Sequence, residues 1–285
     1  MDFPPRWTEL NWSQKYVDDL SAGEKACIAN CVSTFSQNKE ERLVWSPFCQ
    51  ELHVIVESNC ERVGMKMNTA KTQLLCITSA INYEVRSYIE SNGRKIVSGD
   101  ELKLLGFTFG RRPTVRPHFE SVRRKYAIRT HSIRHLKKIG IKNDQLVRIY
   151  SAMILPVIEY TAPIYHHMLS DELRDDFERL QRQIFKIIYG FDTPYRQALE
   201  MSGMASLEDR RKELALSFAL NAEKNPKYAH WFPLHPRYTH NIREQAKYRE
   251  DFALRDRMKN SPVFSMRRIL NEHYAKVGAK NAEEQ

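Results

Sequence analysis

Acidic residues are in short supply: 35 Asp and Glu stand against 45 Lys and Arg, for a formal net charge of +10. Such an excess favours polyanionic partners or acidic membrane surfaces. Cysteine is scarce too. The five cysteines (Cys27, Cys31, Cys49, Cys60, Cys76) are odd in number and confined to the front of the chain. That excludes a disulfide-dense secreted scaffold. Cys27 and Cys31 are spaced for one face of a helix but lack a partner pair at zinc-site spacing. No long apolar run occurs. The most apolar stretch, Tyr150 to Tyr165, is interrupted by Ser151, Pro156, Glu159 and Pro163. It falls short of the roughly 18–20 clean residues of a membrane span. The opening Met1-Asp2-Phe3-Pro4-Pro5-Arg6 lacks the basic and apolar regions of a secretory signal. The expectation is a cytoplasmic or nuclear protein, not secreted and with no membrane partner. A hydrophobic content of 42% is ordinary for a globular chain.

Two halves read differently. In residues 1–110, Lys15-Tyr16-Val17 reads as a strand entering a tight turn at Asp18-Asp19. Glu24 to Val63 is mostly helical in period, with a break at Ser46-Pro47. Thr72 to Thr78 reads as a buried strand. Tyr83 to Ile96 reads as a hairpin turning at Ser91-Asn92-Gly93, and Leu102 to Phe109 as one apolar strand. From residue 111 the chain reads as successive helices. Phe119, Val122, Tyr126, Ile133 and Leu136 share a face; Leu146 to Val157 form a second, bent or ended by Pro156. Ser170 should cap a helix that stops at Gly190, and Ser206 with Asp209 should cap another running to about Glu223. Residues 224–240 read as a loop, and Asn241 to Ala275 as a charged helical tail.

Adjacent acids at a hairpin tip suit ordinary turn chemistry, since Asp favours turns. They also suit a divalent cation, because Mg²⁺ takes one or two carboxylates alongside substrate phosphates. Several further segments lie in order behind this pair. Gly64-Met65-Lys66-Met67-Asn68-Thr69-Ala70-Lys71-Thr72 comes next, then Leu102-Lys103-Leu104-Leu105-Gly106-Phe107. Farther on is Ile149 to Pro163, followed by Leu180-Gln181-Arg182 through Ile187-Ile188-Tyr189-Gly190. With Lys15-Tyr16-Val17-Asp18-Asp19, this ordered set resembles the reverse transcriptases of non-LTR retrotransposons, the LINE-type, jockey-like elements. The stretches match, in turn, the catalytic hairpin, the next palm motif, the strand that grips the primer end, and the thumb.

The resemblance implies an RNA-directed DNA polymerase working by two-metal phosphoryl transfer with Mg²⁺ or Mn²⁺. Asp18 and Asp19 match the metal-binding pair. Lys71 matches a lysine near the leaving pyrophosphate, and Tyr16 a residue under the primer terminus. Leu105 and Gly106 fall in the primer-gripping segment, while Asn68 matches a loop-tying residue. The partners implied are an RNA template and an RNA–DNA hybrid or primer. In the family a first aspartate, and the segment holding nucleotide and template, precede the Asp-Asp hairpin by many tens of residues. Only fourteen residues stand before Lys15 here. Leu20 to Glu24 also has little β-branched character. The expectation is therefore a truncated, α+β chain, inactive alone. It would comprise a partial antiparallel palm (1–110) with helices on one face, an all-helical thumb (111–223), and a loop with a charged helical tail (224–285). A partner that supplies the fingers is left open by the sequence.

The stretch from Arg111 to Arg148 is strongly basic. Arg123, Arg124, Lys125, Arg129, Lys137 and Lys138 are its candidates for tracking a phosphate backbone, against the plainer reading of a solvated helix face. His131 and His135 have helical spacing but basic neighbours, which does not suit a metal site. Tyr228, Trp231, Phe232 and Tyr238 could stack on bases or pack over the thumb. Besides the enzymatic reading, two others stand: a non-catalytic module binding RNA or an RNA–DNA hybrid, and the remnant of a decayed element.

Overall fold

The computed structural model describes residues 12–15, 20–23, 42–77, 85–235, 246–250 and 259–283. The chain divides into two compact units, Met1–Leu104 with Phe109–Pro113, and Leu105–Thr108 with Thr114–Gln285. Small sheets and one described helix make up the first. The second is helical, so the chain is mixed α and β.

In the first unit β1 (Trp12–Lys15) pairs antiparallel with β2 (Leu20–Gly23), from Trp12↔Gly23 to Lys15↔Leu20. Leu20–Gly23 is thus a strand despite its poor composition; cross-strand pairing outweighs weak intrinsic preference. β3 (Arg42–Trp45) lies parallel to β4 (Val85–Ser91), which turns antiparallel into β5 (Arg94–Val97). The expected helical period therefore fails over Arg42–Trp45, where a β-prone Leu-Val-Trp run finds a partner strand. This sheet is mixed, not purely antiparallel. The turn between β4 and β5 is as the sequence reads: Asn92 and Gly93 sit at φ 50° and 72°, the left-handed pair that matches hairpin twist.

α1 (Pro47–Arg62) follows β3 directly. Its Gln50 accepts from the Glu90 N–H at 2.6 Å and donates to the Glu90 carbonyl at 2.7 Å, so a side-chain amide continues the ladder where β3 stops. The strand expected over Thr72–Thr78 reduces, in its described part, to a single parallel bridge, Leu75↔Gly99. Leu102–Phe109 is likewise not one strand. β6 (Glu101–Leu104) and β7 (Phe107–Gly110) form a hairpin, because Leu105 and Gly106 take φ 48° and 88° and reverse the chain.

The helical unit opens with α2 (Arg116–Lys138), which buries His118, Phe119, Val122, Tyr126, Thr130 and Ile133 along one side. α3 (Asn143–Ile149) runs on into a wide π-type turn, Tyr150–Ile154, and then α4 (Leu155–Glu159). Pro156 has no N–H for the carbonyl four residues back. The helix widens just ahead of it, and the Leu155 N–H reaches the Tyr150 carbonyl. α5 (Ala162–Tyr165) precedes α6 (Asp171–Tyr189), whose Ser170 cap accepts from the Leu173 N–H at 3.3 Å. α7 (Tyr195–Ser202) was not legible from the sequence. α8 (Leu207–Lys224) starts at the Ser206 cap, which accepts from Asp209 N–H at 3.1 Å.

The main core joins these helices through Tyr150, Tyr165, Phe177, Ile184 and Phe185, all nearly inaccessible. A second cluster closes the end of the unit. Ala219 and Ala222 of α8 pack with Phe232, Tyr248, and Met266 and Leu270 of α9 (Pro262–Glu283). Tyr228 and Trp231 stack at 4.5 Å against the same cluster, which is packing rather than open display; Tyr238 lies outside the described residues. The tail helix expected from Asn241 is described only from the residues around Pro262. Before it, Tyr248 bridges back to Leu234. No helix among the described residues is long and apolar enough to cross a membrane.

Candidate nucleic-acid interface

α2 separates its apolar and cationic residues by periodicity. With one side committed to the core, Arg123, Arg124, Arg129, His131, Arg134, His135 and Lys138 are left exposed. Their local contacts differ. Arg123 is paired with Glu120 at 2.8 Å, and Arg116 with Glu172 at 3.0 Å. Arg129 donates to the Met153 carbonyl in the π-type turn, where the widened helix leaves an acceptor facing α2. Lys125 is half-buried and sits close enough to His118 to act on its charge. Arg124, Arg134 and Lys138 make no ion pair among the described residues.

Lys137 plays a different part from its neighbour. Its Nζ donates to the Ile188 carbonyl at 2.8 Å and to Asn143 Oδ1 at 2.5 Å. A cation there answers the carbonyls at the C-terminal end of α6 and ties the start of α3 to them. Lys137 is thus engaged inside the helical unit.

The Leu105–Gly106 tip, expected in a strand, is the turn of a hairpin and belongs to the helical unit. Leu105 is exposed there, and the Gly106 backbone lies against the Tyr160 ring, itself 72% exposed. Beneath the tip sits His118. The Thr108 N–H donates to its Nδ1 at 3.3 Å, and its Nε2 lies 2.8 Å from Thr161 Oγ1. Since Nδ1 accepts, Nε2 carries the proton and donates to Thr161. The imidazole stacks on Phe107 with ring centres 4.4 Å apart. Burial, helped by the charge of Lys125, holds its pKa down to about 4, so the ring is neutral. This role is not legible in the sequence, because the partners stand ten residues back and forty-three ahead.

The remaining expected residues lie in the first unit. Lys71 is exposed, in a turn built by Asn68. The Asn68 carbonyl accepts from Lys71 N–H at 3.0 Å, and its Oδ1 from Ala70 N–H at 3.1 Å, so Asn68 ties the loop. Tyr16, Asp18 and Asp19 lie outside the described residues. Among the described residues no group of three His, Cys, Asp or Glu side chains is placed to hold a metal ion. Mg²⁺ or Mn²⁺ at the Asp pair stays a reading of the sequence. Comparison with known protein families, curated proteins and solved structures returned no match to this chain.

Proposed function

We propose that this chain is a reverse-transcriptase-like protein whose helical unit binds an RNA–DNA hybrid, or duplex RNA, through the phosphate backbone. The observation that carries the reading is α2. It is a 23-residue helix with an apolar side in the core and, on the open side, Arg124, Arg134 and Lys138 without carboxylate partners among the described residues. Cations in that arrangement follow a phosphate backbone without reading bases. The ordered motifs from Lys15 to Gly190, and the exposed Leu105–Gly106 tip on the same unit, support the family and the ligand class. Asp18 and Asp19 would hold the divalent cation of the polymerase reaction and Lys71 would serve near the leaving group.

The test is fluorescence anisotropy of a labelled hybrid across a salt series. Affinity should fall steeply with salt, and Arg124→Ala/Arg134→Ala/Lys138→Ala should lower the log–log slope by roughly 2.7. Salt-independent binding, or an unchanged slope in the triple variant, would sink the reading. Primer extension on an RNA template with Mg²⁺, beside an Asp18→Ala/Asp19→Ala control, decides the chemistry. Incorporation lost in the control marks a polymerase; binding without incorporation marks a binding module.

A further inference from the structure

We infer that His118 is the positioning residue of the Leu105–Gly106 tip: it fixes the backbone at Thr108 and so sets how firmly the tip engages a nucleic-acid duplex. The second half of this rests on the proposed function; the first half does not. Three contacts converge on one buried ring. The Thr108 N–H donates to Nδ1 at 3.3 Å, Nε2 pairs with Thr161 Oγ1 at 2.8 Å, and Phe107 stacks on its face at 4.4 Å. Thr161 is buried at the junction of α4 and α5, and His118 belongs to the first turns of α2. The ring therefore joins two helical segments to the returning strand of the hairpin.

A core residue of another kind could fill this space, but it could not do the same work. The Thr108 N–H is a buried donor that needs an acceptor. A neutral imidazole supplies one while its other nitrogen is held by Thr161, so the ring cannot rotate without losing both bonds. Phe107 is the residue next to the tip, and its stacking restrains the turn directly. Leu105 and Gly106 thus stand on a braced backbone with their outer side open.

The test uses the full chain and amide hydrogen exchange read at single residues. In His118→Ala the Thr108 amide should exchange roughly tenfold faster or more, as expected for a lost hydrogen bond. Amides of α6 from Phe177 to Ile188 should hold their protection. His118→Asn, whose Oδ1 can take the place of Nδ1, should restore much of the protection at Thr108. Thr161→Val, which leaves the ring in place, should give an intermediate rate. Hybrid affinity should fall roughly tenfold in His118→Ala with the salt slope unchanged, since no phosphate contact is removed. Thr108 exchange at the wild-type rate in His118→Ala would overturn the inference. So would equal loss of protection across α6 in all three variants, or hybrid affinity that does not follow Thr108 protection. If the wild-type chain binds no hybrid, the proposed function falls, while Thr108 exchange still decides whether His118 braces the tip.

Discussion

The ring of Tyr160 fills the space that a side chain at position 106 would need. A Cβ built on Gly106 would stand 2.8 Å from Tyr160 Cε1 and 3.2 Å from Cδ1. Residue 106 is also at φ +88°, where an L side chain is strained whatever the space. Two effects thus converge on one glycine, and they can be separated. Tyr160 is mostly exposed and free to swing, so the backbone effect should dominate.

Gly106→Ala should then cost about 1 kcal/mol by urea denaturation. Tyr160→Ala in the same background should recover little of it. Full recovery in the double variant would mean that the clash, not the backbone, governs the position.

Acid should weaken the helical unit well before its carboxylates titrate. Burial is the main cause in each case and holds His118 and His167 down to about 4 and His166 to about 3. Lys125 adds to it at His118, Arg268 and Arg174 at His167, and at His166 the neighbouring His167 with Arg211, Arg174 and Lys212. In the unfolded chain these rings take up protons near the ordinary value of 6.5. Their contribution is complete above 6.5 and is lost as the pH falls from there towards 4, because only the unfolded state binds the protons. The loss by pH 5 should be on the order of 1–2 kcal/mol per histidine. Urea midpoints at pH 7.5, 6 and 5 would show it; a flat profile over that window would contradict the neutral, buried assignment.

Local signals carried much of this fold. The Asn92-Gly93 turn, the Ser170 and Ser206 caps and the Gly190 stop each depend on neighbours within a few residues, and each stands where its residues indicate. What could not be read depends on distant partners. Arg42–Trp45 becomes a strand because Val85–Tyr88 lies beside it, and Thr72–Ile77 fails as one because it gains only the Leu75↔Gly99 bridge. Leu102–Phe109 reads as one largely apolar strand, so its reversal at Leu105-Gly106 is hidden by a leucine at positive φ. At the candidate interface the cationic side of α2 was legible from its period. The diversion of Lys137 to Ile188 and the bracing by His118 were not, since no spacing rule spans such separations.

Lys137 and Lys138 are adjacent in sequence and opposite in expected effect. Lys137→Ala removes the donor to the Ile188 carbonyl and Asn143, so stability should fall by about 1–2 kcal/mol. Hybrid affinity at a temperature where the variant is folded should barely change. Lys138 is exposed and makes no ion pair among the described residues, so in Lys138→Ala stability should hold within about 0.5 kcal/mol while affinity and salt slope both drop. Denaturation and anisotropy on the two single variants make the comparison. Equal behaviour of the pair would remove the distinction drawn between them.

The largest single loss should come from Glu178. Its Oε2 accepts from the Tyr195 hydroxyl at 2.7 Å, and its Oε1 from the Glu208 N–H at 2.6 Å, at the N-terminal end of α8. Nη2 of Arg211, a side chain with no accessible surface, stands 3.9 Å from Oε1. One carboxylate therefore answers a helix end, a phenol and a buried cation. Glu178→Ala leaves the Tyr195 hydroxyl its second acceptor, Gln181 Oε1 at 2.5 Å, but strips the Glu208 N–H and leaves the Arg211 charge inside the core, at a cost of about 3–5 kcal/mol. Arg211→Met in the same background removes the stranded charge while keeping most of the volume, so the double variant should be more stable than Glu178→Ala alone. A double-mutant cycle in urea reads both values. Strict additivity, or a loss below about 1 kcal/mol in Glu178→Ala, would mean that Arg211 finds its compensation elsewhere.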